Sequence, residues 1–353
     1  STPSNSSAAS DVYKRQIVSI DGGNFETINP LLEKGVMPNI KKFQHKAILE
    51  SVIPPATAVA WASFSTGNYP GKTEIYDFTM VDEESWKIDF LSRKRLKTKP
   101  LWQYLSDAGL KPCYVNIPVT YPVDKINGII VSGIETPSTF YNYTCPPELK
   151  QELNNLNYKI DVSGLKDSKE EIVKEALNIF NTRIKVAKYL LKKDFQFFII
   201  LFRGSDIVKH YAWGKPEVEK VYTEIDKFVG ELKQNPDYEV IVMSDHGFEK
   251  IDYAFNANAW LEKNNYLVSN LKRNWFATFG ITRKRVYRFV RALKLEFLIR
   301  IIPRKFSQKI PEEKINFEQA ISTGVVDMTK TKAIAKGAIK SAQIFLNTKK
   351  RGG

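Results

Sequence analysis

Three apolar runs, Ile17–Ile20, Phe197–Phe202 and Val240–Met243, each give way to a polar cluster. The first ends in Asp21-Gly22-Gly23, the second near Asp206 with His210 four residues on, and the third in Ser244-Asp245-His246-Gly247. Short unbroken apolar runs predict strands buried on both faces, as in a parallel sheet. Pro112–Ile117, Gly128–Ser132 and Ala342–Leu346 predict further strands. Between the strands the spacing turns helical. Ile28, Leu31, Leu32, Val36, Ile40 and Phe43, interrupted at Gly35 and Pro38, predict a crossover helix, a turn and a second short helix. Pro100–Gly109 predicts a short helix and Lys169–Leu191 a long amphipathic one.

The stretch Val52–Gly67, VIPPATAVAWASFSTG, breaks this alternation. Two prolines forbid regular helix just before Thr57, and a small, helix-compatible run follows, so Thr57 is predicted where a loop enters a helix. A hydroxyl there faces unsatisfied backbone N–H groups and the positive end of a helix dipole, which suits a residue that meets a phosphate or holds a metal. A plain N-cap fits the same pattern. Pro-x-Thr alone leaves both readings open.

In open α/β sheets, ligands collect beyond the carboxyl ends of the strands, so the loops carrying Asp21, Asp206 and Asp245 are expected to converge. A spacing of four puts Asp206 and His210 on one helical face. Asp, His and a hydroxyl are ligand types of divalent, zinc-like sites. In chain order, VSIDGGNFETINPLLEKGVMPNI, PPATAVAWASFSTGNYPGK, the Asp206…His210 pair and MSDHGF resemble the type I phosphodiesterase/nucleotide pyrophosphatase family of the alkaline phosphatase superfamily. The resemblance runs from Ile17 to the end of the chain.

That resemblance implies an α/β fold of three layers, alkaline-phosphatase-like, with a mostly parallel sheet, helices on both faces and a helical insertion. It implies Thr57 as the nucleophile beside two divalent metal ions, with zinc the expected metal. Asp21, Thr57, Asp245 and His246 would hold one ion, and Asp206 and His210 the other. Family members commonly carry a His where Thr73 stands, and many nucleotide pyrophosphatases place an Asn near Asp77 that hydrogen-bonds the transferred phosphoryl group. Here Asp77 and the nearby Asn68 are the candidate substrate contacts. A Thr at the nucleophile position, where sulfatases have Cys or Ser, argues against a sulfatase.

Composition adjusts this picture in a few places. The chain has 353 residues, 43% of them hydrophobic, enough for a large core or two domains. Its formal net charge of +14 favours anionic partners. The expected partner is a small phosphorylated substrate, and no nucleic-acid-binding motif is present. No apolar stretch approaches transmembrane length. Cys113 and Cys145 are too few and too far apart to suggest a disulfide framework. His45 has no acidic residue at ligand spacing and reads as a surface histidine. Residues 81–99 are charged and irregular, and the polar residues 137–166 are expected to form a long loop over the site. Residues 1–16 are expected to be a non-native tail, because SSAASDVYKRQ resembles a translated sequencing adapter, which makes Ile17 the expected start of the first strand. Residues 17–266 and 317–353 are assigned to the catalytic core. Residues 267–316, where basic and apolar residues interleave at helical spacing, are read as a lid or insertion, with docking on a membrane surface as the other reading. The resemblance implies a longer domain that supplies a further His to the second metal; no histidine follows His246, so the C-terminal end, like the start, is expected to be incomplete and the second metal to lack a ligand.

The function these features imply is metal-dependent hydrolysis of phosphoester bonds through Thr57. A phosphotransferase or mutase on the same scaffold, or an inactive membrane-surface binding protein, are the alternatives.

Overall fold

The computed structural model describes residues 14–82, 85–162, 168–270, 320–321, 325–337 and 341–348. Two compact units are present, Ser1–Met80 with Phe90–Ile251, and Val81–Asp89 with Asp252–Gly353.

The first unit is built on β1 (Lys14–Ile20), which leads through α1 (Phe25–Glu33) and α2 (Pro38–Lys41) to α3 (Thr57–Thr66) and α4 (Pro70–Thr73). After the two-stranded ribbon of β2 (Thr79–Val81) and β3 (Ile88–Phe90) come α5 (Leu101–Asp107), β4 (Pro112–Ile117) and β5 (Ile129–Ser132). The expected loop of residues 137–166 instead carries β6 (Thr144–Cys145) and α6 (Leu149–Asn155), because Leu149 and Leu153, four apart, supply a buried face. Then follow α7 (Lys169–Leu190), β7 (Phe197–Phe202), α8 (Gly204–Ala212), α9 (Pro216–Leu232) and β8 (Tyr238–Met243).

Six strands form one sheet in the order β6-β5-β4-β7-β1-β8, parallel except for the antiparallel β5–β6 edge. It is an α/β fold with a mostly parallel sheet. Strand β7 shows why the run FFIILF carries no polar residue: Phe198, Ile200 and Phe202 join one core and Phe197, Ile199 and Leu201 the other. The first core includes residues of α1, α2, α6, α7 and α9, the second those of α3 and α5, so helices cover both faces. A buried carboxylate, Asp226 of α9, accepts from the backbone N–H groups of Asn39 at 3.0 Å and Ile40 at 2.7 Å, fixing the start of α2.

Strand β1 begins at Lys14, three residues before the expected Ile17. Backbone pairing with Phe197–Phe202 and Tyr238–Met243 requires only extended chain, whatever the side chains. The second unit holds α10 (Ala257–Lys263), β9 (Ala333–Gly337) and β10 (Ala342–Leu346) around a cluster of Trp86, Leu261, Leu267, Val326 and Ala333–Ala335. There β9 and β10 pair with each other and not with the six-stranded sheet. The expected basic insertion lies, from residue 271 on, outside the described residues. Among the described residues no helix is long and apolar enough to cross a membrane.

Gln16 is fully buried in β1, beside Phe198 and Val240, and neither atom of its amide has a hydrogen-bond partner. Burying an unpaired amide costs stability. Gln16→Leu, of similar volume, is therefore expected to stabilise the chain by about 1–2 kcal/mol, read from urea denaturation. A loss of stability would show that the amide is usefully bonded.

Candidate functional site

Strands β7, β1 and β8 are neighbours and parallel, so their carboxyl ends open on the same edge of the sheet. Neighbouring strands lie about 4.8 Å apart, which brings Asp21 after β1, Asp206 in the first turn of α8 after β7, and Asp245-His246 after β8 within reach of one another. Asp21, Asp206 and His246 each offer one ligand atom, and these atoms lie within 4.8 Å of one another. All three residues are buried.

The chain makes this approach possible at Gly22. Its φ of +67° is a left-handed conformation that glycine adopts without strain, and a Cβ there would stand 2.9 Å from Asp206 Oδ1. The Asp21–Gly23 turn is then tied down from both neighbouring strands. Ser205 Oγ is 2.8 Å from the Asp21 carbonyl, Gly23 N donates to Ser244 Oγ at 2.7 Å, and Gly22 N donates to Asp245 Oδ1 at 3.3 Å. Ser51 Oγ donates to the Asp245 carbonyl at 2.9 Å, holding the loop before α3 against the same place.

Thr57 is the first residue of α3, and the N-cap is Ala56, which makes no side-chain cap. The hydroxyl is thus not a cap. It lies 3.0 Å from His246 Nε2 and 3.4 Å from Asp21 Oδ1. His246 Nδ1 is 2.8 Å from the Gly247 carbonyl, which can only accept, so Nδ1 carries a proton and Nε2 is the ring atom that faces the site. Nε2 also lies 3.3 Å from Asp21 Oδ1 and 3.8 Å from Asp245 Oδ2.

The electrostatics are those of crowded, dry carboxylates. Burial pushes Asp21 up, with the charge of Asp206 adding to the effect, and burial together with the charge of Asp21 pushes Asp245 up to about 7. Burial acts on Asp206 in the same sense but is outweighed by the hydrogen bond from His210 and the charges of His210, His246 and Arg203, which hold it below the usual range. Arg203, at the start of α8, is paired with Asp161; burial works against its charge, yet Asp161, Asp21, Asp206 and Glu135 keep it firmly protonated. One oxygen on each of Asp21 (Oδ2), Asp206 (Oδ1) and Asp245 (Oδ2) is buried without a hydrogen-bond partner. Orphaned anionic oxygens around an imidazole nitrogen fit a divalent cation.

His210 Nε2 is 3.3 Å from Asp206 Oδ2, and the ring packs edge-on against Phe248 at 4.9 Å, so Asp206 faces His210 with one oxygen while also belonging to the Asp21 and His246 group. Asn68 is occupied at the end of α3, donating to the Thr66 carbonyl at 2.8 Å, and Asp77 Oδ1 accepts from its neighbour Phe78 N at 2.8 Å. Thr73 is buried, with its hydroxyl on the Pro70 carbonyl. His45 is exposed. Sequence reasoning did not single out Arg203, Ser205, Lys209 or Ser244. Only Ser244 had a signal, its place in the Ser-Asp-His-Gly run.

The family model described as type I phosphodiesterase/nucleotide pyrophosphatase matches residues 17–323. The chain belongs to that family. Solved structures with similar folds include phosphonoacetate hydrolase from Sinorhizobium meliloti 1021 in complex with phosphonoacetate, 17% identical with a TM-score of 0.55, and in complex with phosphonoformate, 18% identical with a TM-score of 0.52. Each match covers 72% of this chain and 62% of the hydrolase. Murine ectonucleotide pyrophosphatase/phosphodiesterase 5 is 16% identical over 72% of this chain and 63% of its own, with a TM-score of 0.45. At such identities the likeness to the hydrolase is one of fold. No curated protein matches the sequence.

Because Asp245 titrates higher in the folded chain than its ordinary 3.8, the metal-free native state holds a proton there that the unfolded chain has lost. Stability from this group is present below pH 4 and declines as pH rises from about 4 to about 7. In EDTA, the melting temperature of the wild type is expected to fall across that window more steeply than that of Asp245→Asn. Equal slopes would show that Asp245 is not the group responsible.

Proposed function

We propose that this chain is a metal-dependent hydrolase of small phosphorylated substrates, with Thr57 as the nucleophile. The observation that carries the reading is the position of the Thr57 hydroxyl, 3.0 Å from His246 Nε2 and 3.4 Å from Asp21 Oδ1, at the start of a helix and beside three orphaned carboxylate oxygens. Asp21, Asp206 and His246, with Asp245 beside them, would hold a divalent ion, zinc being one candidate, and Asp206 with His210 offers a second, two-ligand position. When bound, such an ion lowers the pKa of a hydroxyl and offsets charge on phosphoryl oxygens.

The rest of the reading uses the chain's own groups. The first bond of the α3 ladder runs from Ala60 N to Ala56 O, so the N–H groups of Thr57, Ala58 and Val59 precede it and, with the helix dipole, favour an anion at this end. A phosphate seated there meets Thr57 Oγ1, which gives its proton to solvent and forms a bond to phosphorus as the ester P–O bond breaks and the alcohol oxygen departs, taking a proton from solvent. Water then attacks the phosphothreonine, phosphate leaves, and the threonine hydroxyl is restored. The rigid placement of Asp21 and His246 through the Gly22 turn and the Gly247 carbonyl keeps Oγ1 in one orientation throughout. The net charge of +14 favours attraction of anionic substrates.

Thr57→Ala is expected to lower the hydrolysis of bis(p-nitrophenyl) phosphate by at least about a thousandfold, with an unchanged far-ultraviolet spectrum and melting temperature, while Thr57→Ser keeps measurable turnover. Retention of most activity in Thr57→Ala would remove the nucleophile from this reading.

A further inference from the structure

Strands β5 and β4 continue the sheet beyond β7, β4 running parallel to both, so their carboxyl ends open on the same edge as Asp21 and Asp206. Two residues at the end of β4 lie in the left-handed region, Asn116 with φ of +60° and Val119 with φ of +64°. Asparagine tolerates that conformation, whereas a β-branched residue is strained by it. Val119 is nonetheless fully buried. Its N–H donates to Glu135 Oε1 at 2.9 Å, from the turn after β5. The two turns are locked together beside that bond. Thr120 Oγ1 donates to the Ile117 carbonyl at 2.6 Å and accepts from Gly133 N at 3.0 Å, and a Cβ on Gly133 would stand 2.4 Å from the Ile117 carbonyl oxygen.

Strain of this kind persists only where the surroundings over-determine it. What lies against Val119 is the core under the nucleophile's helix: Ile117 and Val119 share one buried cluster with Ala58, Trp61 and Ala62 of α3, and Ala58 follows Thr57 directly. Glu135 Oε2 is buried without a hydrogen-bond partner, and burial pushes the carboxyl up to about 7 against the pull of the Val119 N–H and the charge of Arg203. That is an unfavourable place for a carboxyl, and what Glu135 does there is hold a strained backbone. We propose that Glu135 is a positioning residue for Thr57: its Oε1 pins the Val119 backbone against the cluster that carries the first turn of α3, and so fixes where the Thr57 hydroxyl stands. The inference rests on the reading of Thr57 as the nucleophile. A nucleophile misplaced by about 1 Å loses on the order of a hundredfold in rate, so the effect falls on kcat more than on substrate binding.

Two substitutions separate the hydrogen bond from the charge. Glu135→Asp keeps the charge but is one methylene too short to reach the Val119 N–H, and Glu135→Gln keeps an acceptor of the same reach without the charge. Each is assayed for hydrolysis of bis(p-nitrophenyl) phosphate and, in EDTA-stripped protein, for amide hydrogen exchange over α3. Glu135→Asp is expected to lower kcat at least about tenfold at an unchanged KM and to speed exchange at the start of α3, while Glu135→Gln matches the wild type in both. Unchanged kcat and exchange in Glu135→Asp would overturn the role of Glu135. So would a loss in Glu135→Gln with Glu135→Asp intact, which assigns the effect to the charge facing Arg203. Faster α3 exchange in Glu135→Asp with no hydrolysis by the wild type would support the hold of Glu135 on α3 and overturn the nucleophile reading instead. Should Glu135→Asp fail to fold, Glu135→Gln still decides, because a large fall in its kcat is incompatible with a role that needs only an acceptor.

Discussion

The burial of Asp21, Asp206 and Asp245 side by side is the constraint on which the rest of the first unit depends. Three carboxylates with buried, unpartnered oxygens raise the free energy of the folded chain, and the shifts of Asp21 and Asp245 toward the protonated form are the direct expression of that cost. Such a cluster survives only if the fold over-determines its geometry. Six parallel-paired residues of β1 with β7, and as many with β8, supply the rigidity. Arg203 and the two histidines supply part of the relief.

The supporting residues explain why the carboxylates meet without collapsing into other partners. Gly22 lets Asp206 approach the Asp21 turn, which no residue with a Cβ would allow. Ser205, Ser244 and Ser51 spend their hydroxyls on backbone groups of the loops that carry the acids, so the carboxylate oxygens stay directed inward. Thr57 reaches the same point from the opposite core, through a helix whose Ala58, Trp61 and Ala62 pack against β7 residues such as Ile199. The site thus joins both faces of the sheet at its carboxyl edge. That is where an open parallel sheet leaves room for a ligand.

How much of this was legible in the residues depends on burial. Strand β7 matches the run Phe197–Phe202 at both ends because a strand buried on two faces must be apolar throughout. The start of β1 was not legible, since the polar Lys14, Arg15 and Gln16 join it by backbone pairing that no apolar run announces. Helix α9, with Glu and Lys interleaved among Val221, Ile225 and Phe228, was passed over, as was α6 within a segment whose composition is that of a loop. Lys209 was the least legible of the site residues. A lysine between Asp and His on a short helix reads as solvated, and only the packing of Phe248 and Tyr222 over it reveals otherwise.

By itself the sequence determined the chemistry that could exist here: a hydroxyl at a helix start, acids and a histidine after apolar runs, and the ordered motifs of one family. Those features are local, set by side-chain type, proline geometry and periodicity. The tertiary structure decided that β7, β1 and β8 are neighbours, that Asp206 faces both His210 and the Asp21 group, and that Thr57 is not a cap. It also decided which charges are dry. Strand order and burial come from contacts between residues far apart in the chain, such as Asn24 with Phe248, 224 positions away, and no local pattern encodes a free energy that depends on so distant a partner.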